Sequence, residues 1–366
     1  MIETAIANSN DQELAQLCAL TLTELQGLMA AWMQPKFRAK QILDWCNKGI
    51  LNPALMKNIP APLQERLANS LLCEPLTLVR RECSSDGTRK YLFSLNRVRL
   101  ATKMVEAVFI PEEKRGTVCI SSQVGCVLDC PFCHTGTQGF EGNLTGGEII
   151  AQILAIKADL RHDPMDNELH QEVTHIVYMG MGEPLANEKG LHSSLAILMS
   201  DDGLKLSRRR ITVSTSGLTP QIERLGQLYP VNLAISLHSA INTKRDTLVP
   251  INRKHPLQEL RQCLDHYPLA LQRHITLEYV LLAEVNDQAE DLAALVAFIN
   301  PEREWINLIQ FNPYPSSPFS GTSKENMNRF SQSLISKGIR ATVRRSRGDD
   351  IMAACGQLKA STEEVI

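Results

Sequence analysis

The chain has 366 residues, of which 43% are hydrophobic and 21% charged, so it can bury a full core and is not expected to be disordered. At this length we expect one large domain with one or two small additions. The formal net charge of −2 leaves room for local basic patches and does not exclude a nucleic-acid partner. The sequence contains no run of about 18 apolar residues, so no membrane span is expected.

The first residues lack a basic region followed by an apolar one, so no signal peptide is expected. Ten cysteines in a long chain without such a signal favour a reducing compartment. In that compartment clustered cysteines are more often metal ligands or catalysts than structural disulfides. We therefore expect a cytoplasmic protein whose clustered cysteines bind a metal or take part in catalysis.

The first part of the chain shows a helical pattern. Apolar residues recur at helical spacing in 20–32 and again in 37–45, which predicts an N-terminal helical accessory domain over residues 1–83. Pro60 and Pro62 are expected to break this pattern.

A β-rich connector is predicted over residues 84–115. Apolar residues favour one strand near 90–95 and a second over 104–110. The second strand is expected to stop at Pro111, because proline cannot donate a hydrogen bond to a neighbouring strand.

The core, residues 116–340, alternates short apolar runs with helical patterns. This order predicts an α/β fold with parallel strands and crossover helices. In parallel α/β barrels the functional residues follow the C-terminal ends of the strands. Residues 341–366 are expected to form a C-terminal extension. The predicted strands begin near Thr117, Thr174, Ile211, Leu233, Ile275 and Trp305, and the predicted helices cover about 146–159, 188–200, 218–228, 257–267, 287–299 and 324–337.

Three cysteines stand together just after the first core strand. Cys126, Cys130 and Cys133 form a Cys-x3-Cys-x2-Cys run. Three thiolates at this spacing can hold three irons of a [4Fe-4S] cluster and leave the fourth iron open to a small molecule. Binding the amino and carboxyl groups of S-adenosylmethionine (SAM) requires such an open iron. The run is similar to the signature of the radical-SAM enzymes.

A zinc site is the alternative interpretation of these cysteines. A zinc knuckle has four ligands, commonly in two well-separated pairs. The nearby candidates for a fourth ligand are Cys119 and His134, and the position of His134 directly after Cys133 makes joint tetrahedral ligation awkward. The spacing therefore favours the cluster and leaves zinc as the second choice.

Polar turns end four other predicted strands. A glycine-rich turn at 179–184 contains Glu183, whose carboxylate can accept hydrogen bonds from an ammonium group. A single turn of this kind is more often only a cap or a turn former. Several turns at one barrel mouth, beside a cysteine run, indicate a cofactor site. The other turns are 213–217, 235–238 and 311–315.

Five motifs together resemble those of the RlmN/Cfr family of radical-SAM RNA methyltransferases. The resemblance extends from about Phe37 to Leu358, nearly the whole chain. It implies a partial (β/α)6 radical-SAM barrel, one [4Fe-4S] cluster held by the three clustered cysteines, and SAM as cosubstrate. The motifs are Gln123-Val-Gly-Cys-x3-Cys-x2-Cys, Met179-Gly-Met-Gly-Glu-Pro184, Val213-Ser-Thr-Ser-Gly217, Ile235-Ser-Leu-His238 and Arg347-Gly-Asp-Asp-Ile-x-Ala-Ala-Cys355-Gly-Gln-Leu358.

The same resemblance implies roles for three further residues. One SAM methylates Cys355, and a second supplies the radical that removes hydrogen from that methyl group. The resulting carbon radical adds to the adenine ring carbon, and Glu106 takes the proton from that carbon. Cys119 then attacks the Cys355 sulfur, which releases the methylated base and leaves a disulfide. The positions that the resemblance assigns to SAM binding are Gly182, Glu183, Ser214, Ser236, Leu237, His238 and Asn312.

The implied substrate is the C2 carbon of adenosine 2503 in 23S rRNA, with adenosine 37 of some tRNAs. The approach to Cys355 through 347–350 is more similar to this C2 branch than to the C8 branch. Methylation at C8 stays open, as does a non-enzymatic zinc-binding RNA protein. The resemblance also implies a reductant such as flavodoxin or ferredoxin, and a monomer. Candidate phosphate contacts are 208–210, Arg344, Arg345 and Arg347, with Lys36, Arg38 and Lys40 in the helical part.

For several other residues the sequence alone indicates no functional role. From the alternation of its strand alone, Glu106 is expected to face solvent. Free cysteines are commonly buried and inert. That interpretation is applied to Cys18, Cys46, Cys73, Cys83 and Cys263.

Overall fold

The computed structural model describes residues 14–97, 100, 102–163, 172–315 and 317–360. It contains a ten-stranded mixed sheet, a small two-stranded sheet and helices packed outside them. The strands are β1 (Leu76–Cys83), β2 (Arg89–Leu95), β3 (Met104–Glu112), β4 (Arg115–Cys119), β5 (Gln123–Gly125), β6 (Phe140–Asn143), β7 (Val173–Tyr178), β8 (Ile211–Thr215), β9 (Asn232–Ser236), β10 (Ile275–Leu281), β11 (Glu304–Gln310) and β12 (Ala341–Arg344). The helices are α1 (Leu22–Ala31), α2 (Phe37–Asn47), α3 (Ala61–Ser70), α4 (His134–Gln138), α5 (Gly146–His162), α6 (Glu188–Met199), α7 (Thr219–Leu228), α8 (Asn242–Leu248), α9 (Leu257–His266), α10 (Ala289–Phe298) and α11 (Lys324–Ser336).

The N-terminal helices α1 to α3 pack around a hydrophobic cluster of their own. Helix α1 begins with a capping box, in which Thr21 and Glu24 satisfy each other's backbone N–H groups. Helix α3 lies in the segment predicted to be helical, at the point where Pro60 and Pro62 were expected to break the pattern. It begins directly after Pro60 and carries Pro62 in its first turn, where the missing N–H costs no hydrogen bond. These prolines therefore introduce a helix, although the sequence indicated only that they interrupt one.

Strands β1 to β4 form an antiparallel meander at one end of the large sheet. The predicted strands near 90–95 and 104–110 are present as β2 and β3, whereas β1 lies in the segment that was predicted to be helical. The expectation that Pro111 ends β3 is wrong, since Pro111 pairs with Gly116 of β4. It lies beyond the last residue of β3 that pairs with β2, so its missing N–H leaves no neighbour on that side unpaired.

The core confirms the predicted alternation. Strands β4 and β7 to β11 begin where the six strands were expected, each pairs in parallel with the next, and helices α5 to α11 lie between or after them. A seventh parallel strand, β12, pairs with β11 inside the segment that was expected to be only an extension. Its four residues are too few to show a strand pattern in the sequence.

The large sheet encloses a cavity of about 850 Å³. Residues from β3, β4 and β7 to β12 all line this one cavity, so the sheet curves around it. On β10, for example, Thr276, Glu278 and Val280 face the cavity, while Leu277 and Tyr279 are buried in the hydrophobic core between sheet and helices. Within the described part of the chain, no helix has the length and apolar character needed to cross a membrane.

Candidate active site

The cysteine loop (residues 126–133) leaves the end of β5 and is closed at its base. The Cys126 N–H donates to the Gly139 carbonyl oxygen at 3.0 Å. Gly125 has φ +67°, and a Cβ there would lie 1.7 Å from the Gly139 carbonyl oxygen, so only glycine fits this crossing. Within the loop the Cys133 N–H donates to the Cys130 carbonyl oxygen at 3.1 Å. Short-range contacts therefore close the loop, and the Tyr314 hydroxyl donates to the Pro131 carbonyl oxygen at 2.6 Å.

The three thiols of the cysteine loop line the cavity together. Burial raises the pKa of Cys126 to about 12, and it raises those of Cys130 and Cys133 as well. Nearby thiolates repel one another, so bound iron is the natural source of the positive charge that would ionise them. This donor set fits a [4Fe-4S] cluster.

Zinc and an iron–sulfur cluster require different separations between their sulfur ligands. A tetrahedral zinc ion with Zn–S bonds of about 2.3 Å needs its sulfur ligands within about 4 Å of one another. Among the residues that the structure describes, no three His, Cys, Asp or Glu side chains are gathered closely enough to hold one metal ion. A cubane cluster bonds each sulfur to a different iron and tolerates a wider separation.

Glu183 follows β7 and faces the same cavity. Its Oε2 accepts a hydrogen bond from the Ser216 N–H at 2.8 Å, and its Oε1 accepts one from the Leu185 N–H at 3.1 Å. Burial raises the pKa of this carboxyl group, and the two backbone donors oppose that rise. Gly182 has φ +96°, and a Cβ there would lie 2.5 Å from Cβ of Gln123. Glycine at 182 thus lets the carboxylate turn pack against the strand before the cysteine loop.

Most of the other residues predicted for SAM binding also line the cavity. Ser214, Ser236, His238 and Asn312 do so, whereas Leu237 has a fully buried side chain in the hydrophobic core. Burial and a nearby guanidinium lower the pKa of His238 to about 3, so the ring is neutral at physiological pH. Its Nδ1 accepts a hydrogen bond from a backbone N–H of β10 at 3.1 Å, which fixes the ring orientation. Leu237 can reach a ligand only through its backbone.

Cys119 and Cys355 both line the cavity, together with Arg344. Cys119 is the last residue of β4, and its pKa is raised to about 12, first by burial and then by the nearby Cys355 sulfur. Arg344 ends β12, and its pKa is raised chiefly because it lies beside Cys355. The structure therefore brings the two predicted cysteines together next to a cation.

The C-terminal loop (residues 353–358) packs directly on the segment that follows the cysteine loop. The Thr135 hydroxyl donates to the Leu358 carbonyl oxygen at 2.6 Å, and the His134 N–H donates to the Gly356 carbonyl oxygen at 2.8 Å. The amide of Asn312 donates to the Cys355 carbonyl oxygen at 3.2 Å. These contacts hold Cys355 at the cavity that the cysteine loop also lines.

Glu106 lies on β3 and is only 1% exposed, so the expectation of a solvent-facing side chain is wrong. Its Oε1 lies 3.4 Å from Nζ of Lys90, and its Oε2 accepts a hydrogen bond from the Lys359 N–H at 2.9 Å. Glu106 is not among the residues that line the cavity, although Val108, two residues further along the same strand, is. The segment just after the C-terminal loop thus covers this carboxylate.

Two buried charged residues were not found from the sequence. Arg245 on α8 donates to the carbonyl oxygens of Ser216, Ser236 and Leu237 at 2.7, 3.2 and 3.0 Å, and so ties together the ends of β8 and β9. Glu278 lies in the middle of β10 and faces the cavity. Only the alternation of side chains along β10 could have indicated Glu278, and nothing local marks Arg245.

The basic residues predicted to contact RNA phosphates lie in different surroundings. Arg208–Arg210 forms an exposed 3-10 turn, and Arg345 is exposed at the cavity rim. Arg347 also lines the cavity and lies 3.5 Å from Asp86, and Arg38 stacks over Phe37. Of the cysteines expected to be buried, Cys83 is instead exposed, while Cys18, Cys46, Cys73 and Cys263 are buried.

Comparison with known proteins identifies the class. Residues 120–296 match the model of the radical SAM superfamily. A crystal structure of a radical SAM methyltransferase from Sphaerobacter thermophilus has a TM-score of 0.88 and 41% sequence identity, covering 95% of this chain and 100% of that one. The chain is therefore a radical SAM enzyme, with one [4Fe-4S] cluster and SAM as its cofactors.

Curated relatives narrow the class further. The dual-specificity RNA methyltransferase RlmN of Rhodopseudomonas palustris (strain BisA53) is 42% identical over 94% of this chain and 88% of its own length. That of Gluconobacter oxydans (strain 621H) is 41% identical over 95% of this chain and 86% of its own length. The chain belongs to the RlmN family of SAM-dependent methyltransferases.

Proposed function

We propose that this protein methylates the C2 carbon of adenosine 2503 in 23S rRNA, and adenosine 37 in some tRNAs. The observation that carries the proposal is that Cys119 and Cys355 line the same cavity as the three thiols of the cysteine loop. A carbon such as adenine C2 is a poor nucleophile, so simple methyl transfer from SAM does not reach it. A protein sulfur that carries the methyl group, held beside a radical source, answers that difficulty.

When bound, the cluster and SAM supply the methyl group and the radical that activates it. Cys355 accepts the methyl group on its sulfur, and the same carbon later bonds to adenine C2. Cys119, as a thiolate, then attacks the Cys355 sulfur, and a Cys119–Cys355 disulfide forms. The electron pair of the broken sulfur–carbon bond passes to the carbon, which takes up a proton to become the methyl group, and the unpaired electron left by radical addition would return to the cluster. Arg344, beside Cys355, stabilises negative charge on either sulfur.

Glu106 is the proposed acceptor for the proton that leaves adenine C2. Its contacts with Lys90 and with the Lys359 N–H both stabilise the ionised carboxylate. Glu106 can therefore accept a proton only after these contacts have changed. Since the backbone at Lys359 covers Glu106, entry of the target base has to displace this segment. Proton acceptance is thereby coupled to the arrival of RNA.

The residues proposed to bind SAM suit different chemical groups of that molecule. The carboxylate of Glu183 suits the methionine ammonium group, and the hydroxyls of Ser214 and Ser236 with the amide of Asn312 suit carboxylate and ribose oxygens. The cysteine loop would hold the cluster through Cys126, Cys130 and Cys133. In this proposal SAM and the cluster would share one cavity.

The remaining partners follow from the same proposal. RNA phosphates would contact the exposed basic turn Arg208–Arg210 and the cavity rim at Arg345. Helices α1 to α3, with Arg38 stacked on the exposed ring of Phe37, would form a second contact. We propose a cytoplasmic monomer that receives electrons from a flavodoxin or a ferredoxin.

Mass spectrometry of nucleosides tests the proposal directly. Ribosomal RNA and tRNA are compared from cells with and without the gene, and 2-methyladenosine is expected only in its presence. A product methylated at C8 would overturn the C2 assignment, and unmodified RNA would overturn the activity. Absence of 2-methyladenosine from tRNA alone would restrict the substrate to rRNA.

A further inference from the structure

Glu278 is a buried carboxylate whose two oxygens differ in their hydrogen bonding. It is 5% exposed, lies at the centre of β10 and faces the cavity. Its Oε1 accepts a hydrogen bond from Nδ2 of Asn307 at 3.0 Å, whereas its Oε2 has no hydrogen-bond partner among residues 14–97, 100, 102–163, 172–315 and 317–360. Burying a carboxylate oxygen without a donor costs free energy, so the position needs another explanation.

The neighbours of Glu278 are the polar residues of the cavity wall. Ser236 on β9 and Asn307 on β11 are its register partners, and both face the cavity. Burial raises the pKa of Glu278, while Arg344 opposes that rise. Glu278 therefore neighbours a predicted SAM contact, Ser236, and shares the nearby cation Arg344 with the proposed methyl acceptor Cys355.

We propose that Glu278 is a further ligand-binding residue, whose Oε2 accepts a hydrogen bond from an adenosine nucleoside in the cavity. The inference rests on the proposed function, which brings two adenosines to this site, that of SAM and that of the target RNA. Both offer donors of the same kind, the ribose hydroxyls and the exocyclic amine. Carboxylates accept from ribose hydroxyls in dinucleotide sites and from exocyclic amines of bases.

The position of β10 fits the nucleoside end of a ligand. Strand β10 is three strands away from β7, which leads to Glu183. At about 4.8 Å per strand this is about 14 Å along the sheet, and less across the curved cavity. A ligand whose amino-acid end meets Glu183 would therefore present its nucleoside, or a base stacked beyond it, to Glu278. A cavity of about 850 Å³ is large enough for more than a single nucleoside.

Glu278→Gln tests the proposal in cluster-loaded protein under anaerobic conditions. Glutamine keeps the size of the side chain and its contact with Asn307, but loses the charge. Three dissociation constants are measured by titration calorimetry. One is for S-adenosylhomocysteine, and the other two are for an RNA hairpin that carries adenosine or purine riboside, which lacks the amine, at the target position. Glu113→Gln, an exposed carboxylate in the β3–β4 turn, is the matched control.

At least about a tenfold loss of affinity, or about 1.4 kcal/mol, is expected in one arm. A weaker complex with S-adenosylhomocysteine assigns Glu278 to SAM. Loss of the preference for adenosine over purine riboside assigns it to the target base. Unchanged values in both arms would overturn the proposal. The S-adenosylhomocysteine arm does not depend on which RNA carbon is methylated, so it separates this inference from the proposed function.

Thermal unfolding without ligand provides an independent readout. If Oε2 is paired only when a ligand is bound, the ligand-free protein carries the free-energy cost of an unpaired buried charge. Glu278→Gln and the apolar Glu278→Met remove that charge, so both should unfold at the same or a higher temperature than the wild type. A structural carboxylate would behave oppositely. A marked fall in Tm for both variants would therefore contradict the ligand-binding role.

Discussion

The cysteine loop and the C-terminal loop bring reactive sulfurs to one cavity, but the chain builds them differently. The cysteine loop is closed by a backbone hydrogen bond between Cys126 and Gly139, 13 residues further along the chain. The C-terminal loop is held by partners far away in the sequence, such as Thr135, which is 223 residues from Leu358. The first loop is closed locally at its base and receives one distant hydrogen bond, from the Tyr314 hydroxyl to the Pro131 carbonyl oxygen at 2.6 Å. The attachment of the second loop to the cysteine-loop segment depends on partners far away in the sequence.

This difference separates two parts of the reaction. Residues at the cysteine loop need only hold a cofactor, and a rigid local loop does so. Cys355 has to accept a methyl group, meet RNA and then meet Cys119, which requires a segment that can move. Its contacts are a small number of hydrogen bonds, each worth about 1 kcal/mol net. Variants in the two loops should therefore fail in different ways.

The largest effect is expected in the cysteine loop. Wild-type protein purified anaerobically should be brown, with about four irons per chain. Replacing Cys126, Cys130 or Cys133 by Ala should remove the cluster and all reductive cleavage of SAM, as measured by iron analysis and 5′-deoxyadenosine formation. Cys83→Ala, which changes an exposed cysteine, is the control. A colourless wild type with one tightly bound zinc would exclude the cluster.

In the C-terminal loop the cluster should survive and a later step should fail. Cys355→Ala leaves no methyl acceptor, so neither methylated protein nor methylated RNA should form. Cys119→Ala should still carry the methyl group on Cys355 and attack RNA, but should stop at a covalent protein–RNA adduct that persists through denaturation. Mass spectrometry of the protein distinguishes the two variants. Normal turnover by Cys119→Ala would mean that no disulfide is needed for release.

Glu106→Gln should resemble the Cys119 variant and not the cluster variants. The substitution keeps the size and polarity of the side chain but removes the base and one of its two acceptor oxygens. It should bind the cluster and form methylated Cys355, yet accumulate the covalent adduct and release little methylated RNA. Gel analysis of denatured samples measures the adduct. Loss of iron from this variant would indicate a structural role for the Glu106–Lys90 ion pair instead.

The two loops also show how far the sequence could be read. The cysteine spacing, the six core strands and the turn at Glu183 follow local patterns, and each was predicted. The seventh strand, β12, is too short to show a pattern. The burial of Glu106 was missed because the alternation of a strand does not tell which face is covered. The C-terminal segment that covers it comes from 253 residues away.

Release of the adduct should depend on pH. Burial raises the pKa of Cys119 to about 12, so at pH 7 only about one thiol in 100,000 is ionised. Since the thiolate is the attacking species, the release rate should rise about tenfold per pH unit between pH 7 and 9. Quenched single-turnover assays on preformed adduct measure this rate. A rate that does not change with pH would mean that Cys119 loses its proton before the slow step.

The smallest effect is expected from weakening the attachment of the C-terminal loop. Thr135→Val keeps the shape of a buried side chain but removes the hydroxyl that donates to the Leu358 carbonyl oxygen. The lost hydrogen bond should cost about 1 kcal/mol, which corresponds to about fivefold faster hydrogen exchange in residues 353–360. Iron content is measured in parallel, because the Thr135 hydroxyl also lies beside the Cys133 thiol.

Thr137→Val is the matched control for this last variant. Thr137 is on the same short helix, and its hydroxyl donates to the His134 carbonyl oxygen at 2.7 Å, without contact to the C-terminal loop. Exchange in residues 353–360 should therefore be close to that of the wild type. If the two valine variants exchanged equally fast there, the hydroxyl of Thr135 would not be what holds the loop. Loss of iron in Thr135→Val alone would show that the contact between the Thr135 hydroxyl and Cys133 is needed to hold the cluster.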